Sequence, residues 1–448
     1  MKKSLQYALC AIVLLFGSAG AQTKLTLDEC RRLAMQNSTS SRNSALNIEY
    51  AHQTRQSALT NYFPSVSAGA LAFKAKNPLM DISTSGGDLP VYDGNPDNLP
   101  NASLYAYMPA SSIGMMKSGS IGFINIMQPV FAGGRIINGN KLAVLGEEVS
   151  ELQARLERNT TLRTTDEKYW QLASLMEKRK TIRRYTELLD EIYRKVDDAH
   201  RSGIATMNDL LKVKLKRSEV ALNRSRLDNG IALAIMAFCQ HLKIPYDSTL
   251  AVTDTLAAGD MPGTYHIEHA EALKTRAEYA LLEASVRAEE LQTRMKLGEY
   301  LPQLAVGLNG TIMKLDESES RTIGMVFGTV SVPISSWWDA SHALEGRSLK
   351  EEIAHNNFKE NAELLTLQME KDWRDLTDAY TQVQLSAEAV RQAEENLRVN
   401  QDGYANGVVA VSDVLDAQAS LQQALDQWTD SKAAYRIKVV TYLQVTGR

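Results

Sequence analysis

Two periodicities alternate along the chain. From Gln303 to Ile312 apolar and polar positions exchange at almost every step. Leu304, Val306, Leu308 and Ile312 fall on one face, and Gln303, Ala305, Gly307, Asn309 and Thr311 on the other. A period of two predicts a β-strand whose two faces meet different surroundings. A strand with lipid on one side and water on the other has this pattern, as does a strand of a soluble sandwich. Near the C-terminus Val414, Leu421, Leu425, Trp428, Tyr435, Val439 and Tyr442 follow a repeat of 3.5 residues, interrupted by Gln418 and Lys432. That predicts a coiled-coil stripe.

Proline costs about 3 kcal/mol inside a helix, so proline-free spans show where long helices can run. Residues 130–244 and 334–448 are two such spans, each of 115 residues. Their flanks repeat. Pro129 and Pro333, Gly203 and Gly407, and Asp209 and Asp413 are each 204 apart, while Pro64 and Pro302 are 238 apart. The first copy therefore holds 34 more residues between its strands, the difference between 238 and 204, and they fall within Asn77–Ser118. Gly, Pro, Asn, Ser and Asp dominate that insert, which predicts the larger exposed loop; Lys314–Arg321 is the smaller one. Each copy reads as helix, strand, loop, strand, very long helix, glycine turn and helix. From Ile136 to about His200 a helix would reach on the order of 100 Å. The predicted organisation is a signal peptide over 1–21, a first repeat over 22–250 and a second over 251–448.

The signal peptide rests on Lys2 and Lys3, the apolar run Tyr7–Phe16 and the small residues Ala19-Gly20-Ala21. It takes Cys10 with it and leaves Cys30 and Cys239, which read as two buried thiols rather than a disulfide framework. The chain carries 49 basic and 53 acidic residues, a balance without the basic footprint of a nucleic-acid binder. No later segment is apolar enough for a membrane helix. Two strands per copy make four per chain, too few to close a barrel with room inside. An open sheet edge cannot face lipid. If these strands lie in a membrane, the barrel is shared between chains.

The motifs LTLDECRRLAMQNS, NYFPSVSAG, INIMQPVFAGGR, RSGIATMNDLL, EYLPQLAVG, VSVPISSWWD and NGVVAVSDVLDAQASL resemble those of the TolC-type outer-membrane efflux protein family. They span nearly the whole chain beyond the signal peptide. The resemblance implies a mainly α fold with membrane β: long antiparallel helical hairpins forming an α-barrel, and four strands per chain in a shared 12-stranded trimeric β-barrel. It implies an outer-membrane location with a large periplasmic extension. The implied partners are two further copies, a periplasmic adaptor, an inner-membrane transporter and outer-membrane lipid. It also implies the role of a passive exit duct for efflux or secretion.

For site residues the resemblance implies a tunnel constriction at Asp413 and Asp416, six carboxylates in a trimer. It implies a gate latch between Tyr404 and Asp209, with an arginine where this chain has Val409, so that Asn208 or Asn406 would have to help. Gly203 and Gly407 mark hairpin turns at the periplasmic tip, and Pro64, Pro129, Pro302 and Pro333 mark strand–helix junctions.

No H-E-x-x-H, G-x-S-x-G or P-loop occurs, and no enzyme activity, cofactor or metal is expected. FAGGRIING lacks the spacing and βαβ context of a nucleotide loop. His266, Glu268 and His269 make an incomplete metal set and read as a solvated helix start. Trp337 and Trp338 suit either an interfacial aromatic belt or a collar where strand turns to helix. An exported helical scaffold or adhesin without a pore is the alternative reading; a hydrolase lacks its nucleophile–base motif.

Overall fold

The structure is a computed structural model that describes residues 24–448, apart from 258 and 317. The expected signal peptide and Cys10 lie outside the described residues. A short strand β1 (Lys24–Leu25) precedes α1 (Leu27–Asn37) and α2 (Thr39–Leu59). Strands β2 (Ser65–Lys74), β3 (Met80–Thr84), β4 (Gly87–Pro90), β5 (Tyr105–Met108), β6 (Ser111–Met115) and β7 (Ser118–Ala132) follow. Helices α3 (Arg135–Arg201) and α4 (Met207–Leu242) complete the first half. The second half runs β8 (Ala251–Val252), α5 (His269–Thr275), α6 (Ala277–Glu299), β9 (Gln303–Leu315), β10 (Arg321–Ser331), α7 (Trp337–Ala405) and α8 (Val411–Val445). No described helix is long and apolar enough to cross a membrane.

The chain divides into two compact units. One contains residues up to His52, Leu145–Arg287 and Glu352–Arg448; the other contains Gln53–Val144 and Ala288–Glu351.

The first unit is helical. Asp190 and Arg217 pair at 2.8 Å, on either side of Gly203, so α3 and α4 run antiparallel. Asp375 and Lys438, at 2.7 Å, do the same for α7 and α8. Ile182, Leu189 and Val196 of α3, Leu210 and Val213 of α4, Leu397 of α7, and Val411 and Val414 of α8 share one core. Two further cores share several positions at the offsets seen in the sequence. Ala34, Leu172, Ile235 and Phe238 pack in one, and Ala272, Leu376, Val439 and Tyr442 in the other. Gln418 and Lys432, which interrupt the stripe on α8, are buried all the same. The Lys432 ammonium lies 3.8 Å from the centre of the Trp428 ring.

The second unit holds a four-stranded sheet, ordered β10-β9-β7-β2 and antiparallel throughout. Register places Val66, Ile126, Leu308 and Val326 in one row across it and Ser67, Asn125, Asn309 and Met325 in the next. Successive rows point to opposite faces. One face carries the apolar set, with Leu304, Val306, Leu308 and Ile312 all exposed; the other carries Ser67, Asn125, Asn309 and Thr311 together with Leu71, Phe123, Met325 and Phe327. An aromatic ring covers a glycine on that second face in both halves. A Cβ on Gly69 would lie 2.7 Å from Phe123, and one on Gly307 would lie 2.3 Å from Phe327.

The insert differs from the loop predicted for it. β3 pairs with β6 and β4 with β5, nested inside the β2–β7 hairpin, so Asn77–Ser118 forms a two-stranded arm. Backbone pairing needs no hydrophobic alternation, which is why a Gly- and Pro-rich composition hid it. The smaller connection is also reduced, because Lys314 and Arg321 already lie in strands. In that turn the Asp316 carboxylate accepts the amides of Met116 (2.8 Å) and Ser118 (2.7 Å), fixing the base of the arm.

Pro64 and Pro302 each precede a strand, and Pro333 follows one. Pro129 departs from the expected junction: it lies inside β7, where the register to β9 is irregular between Pro129 and Phe131. A residue without an N–H is tolerated at such a bulge.

Candidate functional site

Both helical hairpins turn in the same way. Gly203 and Gly407 each have φ of +75°, a left-handed conformation that glycine adopts without Cβ strain. The Gly203 amide donates to His200 O and that of Ile204 to Ala199 O, while Gly407 donates to Tyr404 O and Val408 to Gly403 O. This closes the end of α3 and of α7 with a Schellman-type pair. The residue after each glycine, Ile204 or Val408, is apolar yet 83% or 80% exposed.

Beyond the turns the two hairpins diverge. At the start of α4 the Asp209 amide donates to the Thr206 hydroxyl oxygen (3.1 Å), and the Thr206 hydroxyl (2.7 Å) and amide (3.2 Å) donate to the Asp209 carboxylate. These bonds hold the Asp209 carboxyl below its usual range. The equivalent cap of α8 is Ala410, which offers no side-chain bond. Asp413, the counterpart of Asp209, therefore faces no capping hydroxyl. Asp413 and Asp416 are three residues apart on one helix face, and both are exposed. The charge of Asp416 reaches back to α3, adding to the burial that pushes the Tyr185 hydroxyl up to about 12.

Tyr404 is half-buried against the hairpin core. Burial pushes its hydroxyl up, with a smaller contribution from the charge of Asp209. Among the described residues no hydrogen bond joins Tyr404 to Asp209, whose carboxylate serves the α4 cap. Val409, where the resemblance implies arginine, packs onto the turn instead; a Cβ on Gly403 would lie 2.4 Å from its methyl. The signal for the Asp209 cap was present in the sequence as Thr206-x-x-Asp209, a capping-box pattern.

The remaining candidates separate. Cys30 and Cys239 are buried free thiols in one core, and burial pushes Cys30 up to about 12. His269 shares a 3.1 Å hydrogen bond with the Tyr442 hydroxyl, and the His266 ring meets the edge of Trp373 with centres 4.6 Å apart. Trp337 donates its ring N–H to Tyr300 O at 2.8 Å, a collar contact, whereas Trp338 is largely exposed.

The family model described as outer membrane efflux protein matches residues 270–448. That span is an outer membrane efflux protein domain. It takes in β9, β10 and the whole α7–α8 hairpin with Asp413 and Asp416. Solved structures of outer membrane proteins share the fold of nearly the whole chain. The outer membrane protein VceC of Vibrio cholerae is 14% identical with a TM-score of 0.73, over 94% of this chain and 96% of that one. The CmeC outer membrane channel of Campylobacter jejuni is 15% identical with a TM-score of 0.75, over 94% and 85%. The MtrE outer membrane channel of Neisseria gonorrhoeae is 14% identical with a TM-score of 0.74, over 94% and 88%. No curated protein sequence matches the chain.

One pair of contacts in and around the efflux-protein domain escaped the sequence. Arg31 donates from Nε to Asp166 at 2.8 Å and from Nη2 to its second oxygen. At the repeat offsets the same place holds His269 and Glu370, 3.6 Å apart. Applying 238 and 204 to every residue, rather than to prolines and glycines alone, would have shown that the two pairs of positions are equivalent, but not that either pair touches.

Proposed function

We propose that the chain is one of three protomers of an outer-membrane exit duct, which conducts cargo passively from an inner-membrane transporter and a periplasmic adaptor to the exterior. The observation that carries this is the sheet: four strands, an exposed apolar face, and edge strands β2 and β10 with no second partner among the described residues. Three reversals make β2 and β10 antiparallel, so β10 of one copy can pair with β2 of the next and close a ring. Two copies would give eight strands, with an interior just wide enough for side chains; three give twelve and an open passage. Helix α4 supports the assembly. Leu210, Val213 and Val220 are buried, yet Met207, Leu211, Leu215 and Leu222 form a second, exposed apolar stripe suited to a neighbouring copy. The two halves, 22–250 and 251–448, read as copies of one ancestral unit. The exposed Ile204 and Val408 at the paired turns suit docking of the adaptor.

In this reading Asp413 and Asp416 line the narrowest part of the tunnel, where three copies bring six carboxylates together. Such a ring favours cations and resists anions. In planar bilayers the reconstituted protein is expected to form cation-selective channels that multivalent cations block. Asp413→Ala with Asp416→Ala should weaken both properties; unchanged selectivity and block would remove these residues from the constriction, and a protein that never conducts would overturn the duct.

Tyr404 belongs to the proposed gate through its position on the turn and the nearby charge of Asp209, with the Val409–Gly403 contact in place of an arginine bond. Tyr404→Phe is expected to raise resting conductance while trimer yield stays normal. If resting conductance is unaltered, the turn is held by apolar packing alone.

A further inference from the structure

The arm built from the insert has one face that nothing among the described residues covers. Register places Met80 opposite Met115, Ile82 opposite Ile113, Asp88 opposite Tyr107 and Pro90 opposite Tyr105. Met80, Ile82, Ile113 and Met115 share one face of the β3–β6 pair, and Asp88, Pro90, Tyr105 and Tyr107 share one face of the β4–β5 pair. Ile113 is 64% exposed and Tyr107 72%, and Met80, Ile82, Met115 and Tyr105 are exposed as well. The opposite face carries Asp81, Ser83 and Ser112 in the β3–β6 part, where Pro78 lies over Gly114, and Leu89 and Met108 in the β4–β5 part. A two-stranded ribbon is marginal by itself in water and needs its apolar face covered.

We propose that the apolar face of this arm packs against the same face of the arms of the other two copies, closing over the outer mouth of the barrel. The inference rests on the three-copy reading above. Three observations select this occupant. First, the arm grows directly from the β2–β7 hairpin, and β2 is the edge strand through which copies would join. Second, the Asp316 bonds to Met116 and Ser118 fix its base to the sheet, so each copy presents its arm in one place. Third, residues 77–116 contain four aspartates and no lysine or arginine. A segment without a cation suits an anionic lipid surface poorly. The only charge among the residues named on the apolar face is Asp88, near the outer end.

The dimensions agree. Twelve strands about 4.8 Å apart and tilted about 40° close at a radius of roughly 12 Å. The stretch from Met80 to Pro90 extends about 36 Å at about 3.3 Å per residue, so an inward lean of about 20° brings three arms together.

The test is a distance measurement between spin labels on the full-length assembly. Cys30 and Cys239 are buried, so Ile113→Cys reports the arm and Ser318→Cys, on the β9–β10 turn, reports the barrel rim. Labels at 318 are expected roughly 20 Å apart if three copies form the barrel, and labels at 113 about 10–15 Å apart if the arms meet. Ser112→Cys, on the opposite face, should give a longer separation than Ile113→Cys. Labels at 113 farther apart than those at 318 would overturn the packed arms and leave the trimer standing. No separation between copies at 318 would overturn the trimer itself, and the packed arms with it. Ile82→Cys, at the paired position, reads the same contact should Ile113→Cys fail to assemble.

Discussion

Replacing Arg31 with alanine is expected to destabilise the helical unit by about 3 kcal/mol, the range for removing one partner of a buried ion pair. The asymmetry between the partners sets that cost. The Asp166 side chain is 1% exposed, whereas that of Arg31 is 37% exposed. Without the guanidinium the carboxylate stays buried and loses a bidentate, charge-assisted pair. Arg31→Lys should recover only part of the loss, since an ammonium cannot bind both oxygens in the same fork. The equivalent contact in the second half serves as the internal control. Glu370 is half-exposed and already bonded to Arg374 at 2.7 Å, and His269 keeps its bond to Tyr442 without it, so Glu370→Ala is expected to cost no more than about 1 kcal/mol. Urea titrations followed by tryptophan fluorescence compare the two directly. Equal losses would mean that Asp166 has no special dependence on Arg31.

The second large effect is expected at Gly133 and Gly298, which meet backbone to backbone in the strand-bearing unit. A Cβ on Gly298 would lie 2.3 Å from Gly133 O, and one on Gly133 would lie 2.1 Å from Gly298 O. Backbone atoms cannot rotate away as a side chain can. Gly298→Ala should therefore cost at least the roughly 1–3 kcal/mol of an overpacked site. Gly133→Ala should cost more, because φ is +63° there and a left-handed alanine adds about 1 kcal/mol. Gly134→Ala separates the two causes. It shares the positive φ, but its new methyl would meet nothing closer than Asn138 at 3.5 Å. Loss of folded protein on heating should rank Gly133→Ala first, Gly298→Ala next and Gly134→Ala last. A Gly134 variant as damaging as the Gly133 variant would assign the effect to backbone conformation alone.

Much of the architecture was legible because local chemistry dictates it. Prolines and the two turn glycines bound the long helices, and α3 ends at Arg201, one residue past the expected limit. The alternation of β9 reads from Gln303 onward because its two faces meet different surroundings. The arm was not legible, since pairing between β3 and β6 or between β4 and β5 is a backbone matter that composition conceals. The Arg31–Asp166 pair joins residues 135 apart, a separation that no local pattern carries. At the candidate gate, the resemblance singled out Tyr404 and Asp209, and the charge of Asp209 does reach the Tyr404 hydroxyl. The resemblance did not show that Asp209 is committed to Thr206, although the capping pattern was there to read. The difference between Thr206 and Ala410 ties Asp209 into a helix cap and leaves Asp413, at the equivalent position, out of one.

The shared barrel is tested most directly by pairing cysteines on the two sheet edges in the intact outer membrane. Ser67→Cys on β2 would be combined in turn with single cysteines from Ile323 to Thr329 on β10, and oxidised. The expected result is a covalent ladder of one, two and three chains that ends at three, obtained at one or two registers. Disulfides that form only within a single chain would mean that each sheet closes on itself, and a ladder continuing past three would mean an open assembly; either would contradict a three-chain barrel.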